Sequence, residues 1–115
     1  MHIPEHILSS NVSHPTSVAG ALVVGVGIVL AIKSKDKPNF LKFAAISSLI
    51  FALQMMNFPI LNGTSGHFLG TTLAVTLLGT PFGILSIVAV LTLQSLIFAD
   101  GGIMALGANI VNMCL

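Results

Sequence analysis

Residues 17–32, SVAGALVVGVGIVLAI, form an unbroken run of apolar or small side chains that ends at a lysine. A membrane-spanning helix needs about 17–25 mostly apolar residues, so this run and its flanks are just long enough to cross a bilayer. Ala21 and Gly25 are small residues four positions apart, and so are Gly27 and Ala31. This spacing lets transmembrane helices approach closely, and it predicts a helix packed against others.

Composition places the whole chain in the same class. Hydrophobic residues make up 55% of the sequence and charged residues only 6%, whereas soluble proteins have about 25% charged residues. We therefore predict an integral membrane protein with the lipid bilayer as its surroundings. All four basic residues lie between Lys33 and Lys42, so the net charge of +1 reflects one basic loop and predicts no nucleic-acid partner. The single Cys114 excludes a disulfide within the chain.

Short turns rich in glycine, proline or charge separate the apolar segments, which predicts an all-α, polytopic helical bundle in a single transmembrane domain of residues 1–115. The predicted segments are an extracellular N-terminal segment at 1–16, transmembrane helices at 17–32, 40–61, 68–78 and 84–99, and the start of a further, incomplete helix at 103–115. The last segment has about 13 residues, too few to cross a bilayer. We therefore expect the sequence to be a fragment or one part of a larger bundle.

The lysines predict the orientation of these helices. Basic residues concentrate in cytoplasmic loops, so the Lys33–Lys42 loop should be cytoplasmic and the N-terminus outside, in a multi-pass protein of the cell membrane. Residues 1–16 lack the basic region and cleavage site of a signal peptide, which predicts an uncleaved N-terminus. Counting crossings from the loop puts every histidine on the outer side, namely His2, His6, His14 and His67.

The first two residues carry metal-binding chemistry. A free N-terminus followed by His2 offers the amine of Met1, the amide nitrogen of His2 and its imidazole Nδ1, which close a five-membered and a six-membered chelate ring around one ion. The imidazole of His67 could add a fourth nitrogen. Planar nitrogen ligation suits Ni(II) or Cu(II), with Co(II) as a further candidate, better than Mg(II) or Ca(II). Binding should weaken as pH falls, because the donors must lose protons.

Plainer interpretations stay open for each histidine. His2 could be a polar residue in a frayed terminus. His67 could start a helix and hydrogen-bond to the exposed backbone of its own turn, and Gly63 and Gly66 could simply serve a turn with positive φ angles. His6 and His14 have no spacing that requires a shared ligand role, and at most we expect them to help capture the metal.

Other polar residues suggest structural roles. Glu5 is interpreted as a solvated or hydrogen-bonding group, and Asp100 as a residue at a helix end. Polar side chains within the spans are costly in lipid, so they should point into the bundle and pair between helices rather than bind the ion. These side chains are Gln54, Gln94, Asn109 and Asn112.

Four stretches of the chain together resemble one known family. They are Met1-His2-Ile3-Pro4-Glu5, the stretch from Gly63 to Gly70 (GTSGHFLG), the stretch from Phe98 to Gly102 (FADGG), and the stretch from Leu106 to Met113 (LGANIVNM). In this order they resemble the CbiM/NikM-type substrate-specific components of the cobalt/nickel energy-coupling-factor transporters. A glycine-rich turn with one histidine would be a weak match, whereas four ordered motifs along the whole chain are specific.

The resemblance implies a bundle of about seven transmembrane helices, of which this chain would form the N-terminal part, with an extracellular N-terminus that folds back into it. It implies metal ligation by the amine of Met1, the amide and imidazole of His2 and the imidazole of His67. It also implies partners: a transmembrane coupling subunit, a pair of cytoplasmic ATPases and often a small accessory membrane subunit. The transported ion would be Co(II), supplied to cobalamin biosynthesis, or Ni(II), and no organic cofactor is implied.

Two features depart from the family. His6 stands where many members have glycine, and the sequence has about half the family's length. The chain has no Gly-rich ATP-binding motif and no catalytic dyad, so we predict a binding and translocation subunit, not an enzyme. Two alternatives remain from other classes: a structural membrane subunit with incidental histidines, and a metal sensor or resistance protein that binds without transport.

Overall fold

The computed structural model describes residues 3–60 and 64–114. Helices dominate the described part of the chain, as predicted. The α-helices are α1 (Ser10–Lys33), α2 (Phe40–Met55), α3 (Thr71–Leu78), α4 (Thr80–Ile97) and α5 (Leu106–Cys114). Two short 3-10 helices, η1 (Glu5–Ile7) and η2 (Ile103–Ala105), and an antiparallel pair of three-residue strands, β1 (Phe58–Ile60) and β2 (Thr64–Gly66), complete the described elements.

Helix α4 lies at the centre and packs against α1, α2, α3 and α5. The helices share one apolar core, to which α4 contributes the most residues. The core residues are Ile50, Ala74, Ile87, Val90, Leu91, Ile110 and Met113. By length and composition, α1 and α4 are long and apolar enough to cross a membrane. Most of the α1 surface is nevertheless exposed within the described structure, as expected for a helix that faces lipid or further helices.

Helices α1 and α5 approach closely through glycine. A Cβ atom added to Gly20 would lie 2.8 Å from the Cα of Gly107, and one added to Gly107 would overlap the Cα of Ser17. The spacing of small residues in the sequence correctly predicted that α1 packs closely against other helices, but only some of those small residues lie at the contacts. Gly27 is buried as expected, whereas Gly25 has no atom within 4 Å of an added Cβ among the described residues. The two buried glycines are seven residues apart, a spacing close to two helical turns. Gly20 contacts α5, whereas Gly27 contacts Ile84 and Leu85 of α4.

The first helix starts earlier than predicted, at Ser10 instead of residue 17. The polar residues before Ser17 continue the helix because their hydroxyl groups find partners. Ser13 is buried and its hydroxyl donates to the Met104 carbonyl at 2.8 Å, while the Thr16 hydroxyl bonds to the Val12 carbonyl at 2.8 Å. Pro15 sits in the second turn of the helix. The predicted segment 1–16 therefore ends in helix.

The second helix ends earlier than predicted, at Met55 instead of residue 61. Proline disfavours the helical conformation in the residue before it and has no N–H group for the helix, and Pro59 lies in this stretch. Phe58–Ile60 instead pairs with Thr64–Gly66 as a short antiparallel strand pair. The apolar run after Met55 therefore forms a strand that leads to His67.

Glycines set the limits of the next two helices. Gly70 and Gly79 have φ angles of 82° and 81°, a conformation that residues with a side chain rarely adopt. Helix α3 therefore covers only Thr71–Leu78, not 68–78, and α4 starts at Thr80, four residues before the predicted 84. Helix α4 ends at Ile97, two residues before the predicted 99. The predicted segment 103–115 splits into η2 and α5.

Candidate metal site

The N-terminal arm, Ile3 and Pro4 with η1, is held against α5 by one side chain. The Ile3 N–H donates to Oδ1 of Asn109 at 2.7 Å, and Nδ2 of Asn109 donates to the Ile3 carbonyl at 3.2 Å. Asn109 is 2% exposed. Ile3 directly follows His2 in the chain. The residue next to the predicted ligands is therefore anchored inside the bundle by both of its backbone polar groups.

The second arm carries His67 and follows β2. Its backbone is fixed two residues further on, where Nε2 of Gln54 donates to the Leu69 carbonyl at 2.5 Å. Gln54 belongs to α2 and is 1% exposed. Gly70 then turns the chain into α3, and a Cβ added there would lie 2.8 Å from Cγ2 of Ile50. The arm is thus attached to α2 at a defined position.

The His67 ring makes a hydrogen bond that determines its tautomer. Its Nδ1 lies 2.9 Å from the Phe68 carbonyl oxygen. A carbonyl can only accept, so Nδ1 carries the proton and a neutral ring has its lone pair on Nε2. Histidines that bind metals commonly donate their other N–H to a backbone carbonyl in this way.

Helix α5 contacts both arms. Asn109 holds Ile3, and one turn later the Met113 carbonyl accepts a hydrogen bond from the Thr71 hydroxyl at the start of α3. Thr71 lies four residues after His67. His67 and the end of α5 also line a common groove of about 520 Å³, together with Phe68, Leu69, Gly70, Thr71, Thr72, Leu73, Asn112, Met113 and Cys114. The two arms therefore meet the same short helix.

A family comparison settles the class of protein. Residues 2–115 match the model of the CbiM family, described as the cobalt uptake substrate-specific transmembrane region. The chain belongs to the CbiM family. The resemblance seen in the sequence motifs is thereby confirmed, and so are the all-α membrane fold and the association with cobalt and nickel transport.

Named relatives of this CbiM-family chain are metal transport proteins. A protein of Archaeoglobus fulgidus named as a fused nickel transport protein, NikMN, is 42% identical over 115 residues, which cover 100% of this chain and 38% of the relative. A protein of Methanococcus voltae named as a cobalt transport protein, CbiM, is 35% identical, with 98% of this chain and 52% of the relative covered. The chain thus spans about a third to a half of these relatives.

A solved structure shares the fold. The crystal structure of a truncated transition metal transporter superposes with a TM-score of 0.89 at 40% sequence identity, covering 100% of this chain and 54% of the other. Such a score shows that the fold described above is shared with the matched part of that structure.

The predicted ligands are only partly described in this CbiM-family chain. Met1 and His2 lie outside the described residues, whereas His67 is described and half-buried. His6 and His14 are exposed on η1 and α1. Within residues 3–60 and 64–114, no three His, Cys, Asp or Glu side chains lie together as a group that could hold a metal ion.

The polar residues of the spans have roles that were only partly predicted. Gln54 and Asn109 point into the bundle as expected, but they bond to loop and arm backbone rather than pair between helices. Gln94 is fully buried, and both of its side-chain polar atoms are without a hydrogen-bond partner in the described part of the chain. Asn112 is exposed, contrary to expectation. Asp100 follows the end of α4, where its N–H donates to the Gln94 carbonyl at 3.2 Å.

Proposed function

We propose that this chain is the substrate-binding part of an ATP-driven energy-coupling-factor importer for Co(II) or Ni(II). The transported ion would be held by the amine of Met1, the amide and imidazole nitrogens of His2 and the imidazole of His67. The observation that carries the proposal is the double hydrogen bond between Ile3 and Asn109. It anchors the chain immediately after His2 to the helix that also contacts the His67 arm.

The chemistry of the donors supports a planar site. The Met1 and His2 nitrogens are adjacent in the chain and can form fused chelate rings, while the Nε2 lone pair of His67 provides the fourth donor. Four nitrogens favour Ni(II) or Co(II) over Mg(II) or Ca(II), which prefer oxygen ligands. The His2 amide has to lose its proton to bind, so affinity should fall as pH is lowered. This dependence would suit a site that holds its cargo at neutral pH.

The other end of the bundle is the proposed cytoplasmic side. The lysine loop and the α3–α4 turn share a groove of about 460 Å³, lined by residues that include Asp36, Lys37 and Gly79. We propose that this end faces the coupling subunit and the ATPase pair, with or without a small accessory membrane subunit. Binding would take place on this chain and ATP hydrolysis on its partners. Cobalt for cobalamin biosynthesis is the favoured cargo, and nickel is the alternative.

Replacement of His67 tests the proposal. His67→Ala removes one of four ligands and should weaken Ni(II) and Co(II) binding by more than about 100-fold, beyond the 10–100-fold typical of outer-shell partners. His14→Ala is the matched control because His14 is an exposed histidine of α1. Isothermal titration of the purified protein measures both. Equal losses in the two variants would contradict the ligand set, and wild-type protein that binds neither metal would favour a structural membrane subunit.

A further inference from the structure

Asn109 differs from an ordinary polar residue in a helix. It is 2% exposed, and its amide both accepts from and donates to one residue, Ile3, that lies 106 positions away in the sequence. A buried amide without partners destabilises a bundle. Here the partners come from the N-terminal arm and not from a neighbouring helix. The bonded state of Asn109 therefore depends on where that arm lies.

The position of α5 is itself restricted. Gly107, two residues before Asn109, contacts Ser17 and Gly20 so closely that a Cβ atom would collide with backbone. One turn after Asn109, the Met113 carbonyl accepts a hydrogen bond from the Thr71 hydroxyl. Four residues of helix advance about 6 Å along the axis. Helix α5 thus holds Ile3 and the start of α3 at a fixed spacing.

We propose that Asn109 is the positioning residue of the metal site: its side-chain amide sets the position of the N-terminal arm relative to His67. This inference rests on the proposed function, because it takes the Met1 and His2 nitrogens as ligands. Asn109 does not bind the ion. It fixes the residue that follows His2, so that the chelating nitrogens and the His67 ring are presented to the same ion. Partners of this kind typically change metal affinity by about 10–100-fold.

The first test is Asn109→Ala in the full chain, with Ser47→Ala as the matched control. Ser47 also makes a long-range side-chain hydrogen bond, to the Ser86 hydroxyl at 2.7 Å, but between α2 and α4. We expect Asn109→Ala to weaken Ni(II) binding by about 10–100-fold and to lose the ligand-field absorption of planar Ni(II). Ser47→Ala should keep the wild-type affinity and spectrum. Wild-type affinity and spectrum in Asn109→Ala would overturn the inference.

A second pair of variants approaches the same contact from the arm and leaves the bundle unchanged, which matters if Asn109→Ala does not fold. Ile3→Pro removes the N–H group that donates a hydrogen bond to Oδ1 of Asn109. Ile3→Ala keeps this N–H group. Ile3→Pro should weaken Ni(II) binding more than Ile3→Ala, and it should also lower the melting temperature of the metal-free protein, because Oδ1 of Asn109 loses its donor. Equal affinities in this pair would overturn the inference.

The two proposals fail in different ways. If the wild-type protein does not bind Ni(II), or if His67→Ala binds as well as the wild type, the proposed function is wrong and the role of Asn109 is overturned with it. If His67→Ala loses binding while Asn109→Ala and Ile3→Pro do not, the metal site stands and only the positioning role is overturned.

Discussion

The two ends of the bundle are built differently. At the histidine end, which comprises the N-terminal arm, the His67 arm and η2, buried or hydroxyl side chains from distant helices bond to backbone: Asn109 to Ile3, Gln54 to Leu69, Ser13 to Met104. At the lysine end, which comprises residues 34–39 and the α3–α4 turn, the side-chain hydrogen bonds seen in the described part of the chain are local. Asn39 caps α2 through the Lys42 N–H at 2.8 Å, and the exposed Ser34 hydroxyl bonds to the Asp36 carbonyl at 3.0 Å.

This difference shows what each end requires. The proposed metal site at the histidine end includes a terminal amine and a backbone nitrogen, so it needs its main chain in one place, which local hydrogen bonds cannot ensure. Long-range bonds from buried amides supply that order at the histidine end. Metal binding places no such demand on the lysine end, where helix caps and solvent are enough and the exact position of the loop has little consequence for the ion. Removal of one side-chain hydrogen bond should therefore weaken metal binding at the histidine end and leave it unchanged at the lysine end.

The largest expected effect comes from the helix contact beneath the histidine end. Gly107→Ala puts a methyl group into the backbone of Ser17, and overpacking of this kind costs about 1–3 kcal/mol. Because α5 must move, metal affinity should fall together with thermal stability. Gly25→Ala is the control, since an added Cβ meets no described atom within 4 Å. Similar melting temperatures for the two variants would contradict the close packing of α1 on α5.

Loss of the Gln54 amide should have the next largest effect. Gln54→Leu removes the hydrogen bond to the carbonyl of the half-exposed Leu69, which costs about 0.5–1.5 kcal/mol, and it releases the His67 arm. We expect Ni(II) affinity to fall by about 10–100-fold. The comparison is Thr92→Val, which removes a hydroxyl bond within α4, to the Val88 carbonyl at 2.7 Å. Titration should show a loss of Ni(II) affinity only for Gln54→Leu. An equal loss of affinity in Thr92→Val would contradict a specific role of Gln54 in holding the His67 arm.

A smaller effect, confined to stability, is expected at the lysine end. Asn39→Ala removes the side-chain cap of α2 and should lower stability by about 1 kcal/mol. Metal affinity should remain that of the wild type, because the cap serves a helix end remote from His67. Thermal unfolding and titration of one preparation measure both quantities. A change in Ni(II) affinity would show that the two ends are coupled.

The smallest effect is expected for Ser34→Ala. Its hydroxyl bond is exposed, and surface changes of this kind usually fall within about 0.5 kcal/mol. Neither melting temperature nor metal affinity should change measurably. A shift as large as that of Asn39→Ala would mean that the lysine loop is more ordered than its local bonds indicate.

Sequence patterns predicted the parts of the fold that depend on composition. The apolar run ending at Lys33 and the loop before Phe40 match the observed helix limits, because charge and proline end a membrane helix wherever it packs. The stretch from Met56 to Ile60 was mistaken for helix. It is apolar throughout except for Asn57, and an apolar run alone does not distinguish a helix from a strand.

The proposed site follows from the sequence to the extent that its chemistry is local. His67 stands out between glycines, and the Met1-His2 pair has its donors in consecutive residues. The role of Asn109 could not be predicted in the same way, because its partner is 106 residues distant and no spacing in the sequence links them. Its only signal was the presence of an amide in an apolar segment.

In the proposed site, the N-terminal arm and His67 bind one ion together. The most direct test of this arrangement is titration of Ni(II) and Co(II) into the protein with Met1 as its first residue and into the same protein with one residue added before Met1. The added residue converts the Met1 amine into an amide. We predict tight binding by the first protein and loss of binding by the second; equal binding by both would contradict a site that contains the Met1 amine.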